Sequence, residues 1–120
     1  MLVIRNEQMK ALFFGMAGPY RATARAAMRK SYPAECTDLG DRGLEQMIML
    51  SLEKAWLYGI EEDEDILLYL DVMFRAGYRF DEEPQHAWAR EILRDKSFAV
   101  ETRVDLIHQR FAAMQAAGEV

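Results

Sequence analysis

The chain has one cysteine, three prolines and almost no strand signal among its 120 residues. Each scarcity removes a class of structure. With Cys36 alone, no disulfide can form within the chain, so the fold must rest on its core. This suits a reducing compartment and is read as cytoplasmic. Only Met1-Leu2-Val3-Ile4 looks extended, and four residues do not build a sheet. The longest apolar run near the N-terminus, Ala11 to Ala17, is too short to span a bilayer and makes a poor secretory signal behind Glu7. No membrane association is expected. Repeats and low-complexity segments are also lacking.

What remains is a hydrophobic share of 51%, enough to exclude a disordered chain. A chain of this length buries roughly two-thirds of its unfolded surface, which supports a single domain over residues 1–120. The net charge of −5 is unevenly spread. Residues 1–30 carry six basic side chains and only Glu7 as an acid. Residues 61–83 carry nine acids against Arg75 and Arg79. The two poles can attract each other within a monomer, between copies, or recruit a charged partner. Overall acidity argues against nonspecific nucleic-acid binding, which needs a basic footprint.

The periodicity predicts an all-α bundle of five to six helices with short loops. Asn6 is a good N-cap for a first helix running toward Met16, which Gly15 and the Gly18-Pro19 pair then break. Pro19 suits the first turn of a second helix reaching about Lys30, with Arg21, Arg25 and Arg29 in one basic stripe. A third helix starts after Asp38 or Asp41 and stops at Gly59; Leu44, Met47, Ile48, Leu52, Ala55 and Trp56 supply its apolar positions. A fourth runs from about Asp63 to Gly77, burying Ile66, Leu67, Leu70, Met73 and Phe74. A short fifth has Pro84 in its first turn, with Trp88 and Ile92 facing inward, and ends near Asp95. A sixth spans roughly Val100 to Ala116 on a stripe of Val100, Val104, Ile107, Phe111 and Met114, followed by a fraying tail.

Motifs that carry chemistry fail one by one. An EF-hand loop starting at Asp63 would place Leu68 at its glycine position and Phe74 at its glutamate position. His86 and His108 lack zinc-ligand spacing, and Cys36 has no nucleophile elbow. Asp81 with His86 is the pairing an enzyme would use, yet Asp81-Glu82-Glu83-Pro84 reads more simply as a turn into a helix. The expectation is a non-enzymatic chain with no cofactor and no metal. The side chains best suited to a partner are the acids Glu61, Glu62, Asp63, Glu64, Asp65, Asp81, Glu82 and Glu83. Tyr69, Tyr78 and Trp88 would be its apolar anchors. Met49 and Tyr69 fall off their main apolar stripes and extend the exposed apolar candidates.

Five segments in order, VIRNEQM (Val3–Met9), SYPAEC (Ser31–Cys36), YGIEEDEDILLYLDVMF (Tyr58–Phe74), FDEEP (Phe80–Pro84) and WAREILRD (Trp88–Asp95), resemble a family of small helical bacterial proteins. Those proteins are encoded beside type VI secretion spike, PAAR-repeat and polymorphic-toxin genes. The resemblance covers nearly the whole chain and lies in glycine stops, caps and an aromatic face. It implies an accessory role: an effector-loading adaptor or chaperone, or an immunity-type protein. The implied partner is a secreted effector, toxin or spike component, with a homo-oligomeric accessory protein as the alternative. It transfers no catalytic residue. The breaks at Gly15 and Gly18-Pro19 depart from the longer first helix of relatives, as does Ala87 where relatives place proline.

Overall fold

A computed structural model describes Gly15 and residues 17–119. The helix expected from Asn6 toward Met16, Gly15 apart, and the extended Met1–Ile4 lie outside the described residues. The fold is all-α, a helical bundle with no strand among those residues. Five helices follow in order: α1 (Gly18–Ser31), α2 (Pro33–Tyr58), α3 (Asp63–Ala76), α4 (Ala87–Arg94) and α5 (Val100–Ala116). Two single turns of 3-10 helix, Phe80–Glu82 and Pro84–His86, bridge α3 and α4. The chain divides into two compact units, residues 1–48 and 49–120, with the division inside α2.

In the first unit, α1 starts with Pro19 in its first turn and buries Tyr20, Ala24 and Met28, one side chain per turn. Its basic stripe is paired with acids of the same unit. Arg25 pairs with Glu45, Arg21 stands 3.7 Å from the same carboxylate, and Arg29 lies 2.9 Å from Asp41. The Arg25 contact is the leading cause that holds the Glu45 carboxyl below its ordinary range. Such half-exposed pairs contribute about 0–1 kcal/mol each.

Helix α2 begins at Pro33, earlier than the expected start after Asp38 or Asp41. Pro33 lacks only an N–H that a first turn leaves unbonded anyway, so one residue, Tyr32, suffices between α1 and α2. Gly40 explains the difference. Its φ of 71° and ψ of 173° interrupt the helix in a region reserved for glycine, so the expected start marks the second segment.

In the second unit, helix ends follow the glycines. Gly59 adopts φ 73° while Ile60 N–H bonds to the Ala55 carbonyl and Gly59 N–H to that of Trp56, a Schellman turn that stops α2. The same pair of bonds, Glu119 to Met114 and Gly118 to Gln115, closes α5, so the tail is ordered through that turn. Helices α3 and α5 pack along their lengths, and α4 packs on α5 and on both 3-10 turns. The α3 stripe buries Ile66, Tyr69, Leu70, Val72 and Met73; α5 contributes Val104, Ile107 and Phe111. Pro84 sits in a separate 3-10 turn ahead of α4. The inward residues of α4 are Ala89 and Leu93, whereas Trp88 and Ile92 are half-buried.

Candidate functional site

The nine acids of residues 61–83 do not make one surface. Glu61 to Asp65 lie at the N-terminal end of α3, whereas Asp81 to Glu83 follow its C-terminal end. Residues 66–76 of the helix separate them, or about 16 Å at 1.5 Å per residue.

The first group forms an open depression. Glu61, Glu62, Asp63, Glu64 and Asp65 line it together with Glu101 from the first turn of α5. Gly59, Ala99 and Val100 continue it as an apolar margin. Local physics puts these acids there: Asp63, Glu64 and Asp65 occupy the first turn of α3, where the helix macrodipole favours negative charge, and Glu101 does the same for α5. That attraction does not neutralise six carboxylates. Among the described residues no basic side chain pairs with any of them. Asp65 registers the excess. Partial burial first, and then Glu101, Glu62, Glu64 and Asp105, push its carboxyl above the ordinary aspartate value. Glu101 and Asp105 escaped the sequence reading because nothing local places α5 beside the start of α3. The one hint was that Glu101 lies one turn before Val104, at the flank of the buried stripe, with Asp105 one turn further on.

The second group behaves differently. Asp81 is 1% exposed and is therefore an interior group, not a surface acid. Lys54 Nζ donates to Asp81 Oδ2 at 2.8 Å, and the Tyr58 hydroxyl donates to the same oxygen at 2.6 Å. Lys54 also reaches Glu82 at 3.1 Å, which Arg79 holds from outside at 3.0 Å. Burial first, then the bond to Asp81 and its charge, push the Tyr58 phenol well above its ordinary value. Its proton therefore stays in place as a donor. Lys54 was missed, although it shares a buried face with Ser51, Ala55 and Tyr58, spaced three and four apart. A lysine at such a position signals a buried acid partner.

Tyr69 is 0% exposed and cannot anchor a partner. It lies three residues after Ile66 and four before Met73, within the buried stripe. Its ring continues a stack: Tyr69 to Phe80 at 5.1 Å, Phe80 to Phe111 at 5.2 Å, and Phe111 to His86 at 5.0 Å and to Trp88 at 4.8 Å. Burial first, then the Asp81 charge, raise the Tyr69 phenol far above its ordinary value. Trp88 is half-buried, its ring covered by the Arg110 guanidinium at 4.0 Å. Tyr78 is the anchor candidate that is exposed, at 53%, with the Arg79 guanidinium 5.6 Å from its ring centre and with Glu82 exposed and Glu83 half-buried nearby in sequence. Met49 is half-buried.

The remaining chemical candidates have structural roles. His108 Nε2 and Arg75 Nε both meet Asp71 Oδ2 at 2.7 Å, which ties α5 to α3. His86 is buried against Phe111. Burial raises the Cys36 thiol, the opposite of what a reactive thiolate needs. Among the described residues, no three His, Cys, Asp or Glu side chains are arranged to hold a metal ion, and no helix is long and apolar enough to cross a membrane. Comparison with protein-family models, curated proteins and solved structures yields no significant match.

Proposed function

We propose that this chain is a non-catalytic protein-interaction module that takes a basic segment of a partner protein in the acidic depression between the start of α3 and the start of α5. The observation that carries the reading is the set of six carboxylates around one depression, none paired with a basic side chain among the described residues. Lysine or arginine entering there relieves the repulsion felt at Asp65, and the charge accelerates encounter. The apolar margin of Gly59, Ala99 and Val100 suits the aliphatic stem of such a side chain. In the secretion and toxin setting that the sequence resembles, the partner is a basic effector, toxin or spike component, and the role is loading or immunity.

The test is titration of lysine- and arginine-rich peptides into the protein at low and at high salt. It is repeated with the combined variant Glu61→Lys, Glu62→Lys, Glu64→Lys. Binding that weakens with salt and vanishes on charge reversal supports the reading. Binding indifferent to both refutes it.

A further inference from the structure

We infer that residues 78–86 form a latched strap that opens as a unit while the helices stay folded, with Lys54 as the latch. The inference is independent of any partner. The strap holds two single turns, closed by isolated bonds from Glu82 to Arg79, Glu83 to Phe80 and His86 to Glu83. No helical ladder supports them. It departs from α3 at Gly77, whose φ of 113° belongs to glycine and supplies a hinge.

Its closed state carries unusual cost. Five buried side-chain polar atoms lack a hydrogen-bond partner among the described residues. Two belong to the strap, Asp81 Oδ1 and His86 Nδ1. Opening returns both to water, which lowers the free energy of the open form relative to a fully bonded strap. Against opening stand the buried Phe80 and His86 rings, both packed on Phe111, and one cation. Lys54 holds the buried Asp81 and the exposed Glu82 together. Losing its charge leaves a buried carboxylate with the Tyr58 hydroxyl as its remaining bonded partner. Segments with few supports and low local stability are those that open sub-globally.

The experiment is native-state amide hydrogen exchange on the wild-type chain across a range of urea below the unfolding transition. The amides of Phe80, Glu82, Glu83 and His86 are expected to exchange through an opening that responds less to urea than global unfolding does. Amides of α3 and α5 are expected to exchange only by global unfolding. Lys54→Gln removes contacts made in the closed state alone, so it should accelerate the strap amides by roughly tenfold to a hundredfold and the amides of α3 and α5 by a comparable factor through the lower global stability, and Lys54→Arg should restore slow exchange. Strap amides that follow the global urea dependence in the wild type overturn the inference, whether or not the variants fold. So does a Lys54→Gln chain whose strap amides exchange no faster than those of the wild type.

Discussion

Removing either side of the Lys54–Asp81 pair should destabilise the protein, and the two losses should be unequal. Asp81 is wholly buried, with side-chain exposure of 0%, whereas Lys54 retains 11%. Lys54→Met leaves the Asp81 carboxylate inside the protein with Tyr58 as its bonded partner and its Oδ1 still unbonded. Stranding a buried charge in this way costs about 3–5 kcal/mol. Asp81→Asn is milder, because the amide oxygen still accepts from Tyr58 while Lys54 keeps Glu82 at 3.1 Å and some access to water. Its cost should be about 1.5–3 kcal/mol, the net value of one charge-assisted hydrogen bond. The double variant Lys54→Met, Asp81→Leu removes both charges together and should cost less than Lys54→Met alone, because no ion is left stranded. Urea unfolding followed by tryptophan fluorescence, with a common slope for all variants, measures the three values. The reasoning fails if Asp81→Asn costs as much as Lys54→Met, or if the double variant costs as much as Lys54→Met alone.

Other consequences are simpler to check. Phe111 is fully buried and touches Phe80, His86 and Trp88, so Phe111→Ala should cost about 3–5 kcal/mol in thermal or urea unfolding; Phe111→Leu should recover much of it. Asp65 has a folded-state pKa above its unfolded value, so its ionised form is a liability at neutral pH that is relieved as pH falls through the folded value. Asp65→Asn should therefore stabilise the neutral-pH protein by about 0.5 kcal/mol, with the gain fading in acid and in high salt. Stability profiles of both chains against pH test this. Cys36 is buried with its thiol raised, so a disulfide reagent should modify it far more slowly in the native chain than in urea.

Much of the secondary structure was legible because helix ends are local. Gly59 and Gly77 stop helices in positive-φ conformations that other residues rarely adopt, and Pro19 fits a first turn wherever the chain places it. The run from Val100 to Ala116 carried its own apolar stripe, and α5 has those bounds. The sequence reading erred where two short elements compete. Pro33 can open a helix as well as follow one, and Gly40 breaks α2 without ending it. Tyr69 was misplaced because a stripe drawn through Leu67 and Phe74 rotates the helix away from the face that packs on α5.

The candidate site was half visible. Composition alone announced the carboxylates of Glu61 to Asp65, since a helix start favours acids whatever lies around it. Composition could not assign fates to Asp81, Glu82 and Glu83, three consecutive acids with the same local preferences. Their separation depends on the packing of Phe80, which turns Asp81 toward Lys54 and Tyr58 and leaves Glu82 outside. Nor could it bring Glu101 to Glu61 across forty residues. The sequence by itself determined that the chain is helical, where most helices stop and which faces are apolar, because these follow from backbone preference and short-range periodicity. Only the tertiary structure decided which charges are buried and paired and which remain to repel one another, because the energy of a charge is set by neighbours distant along the chain and by the water that packing excludes.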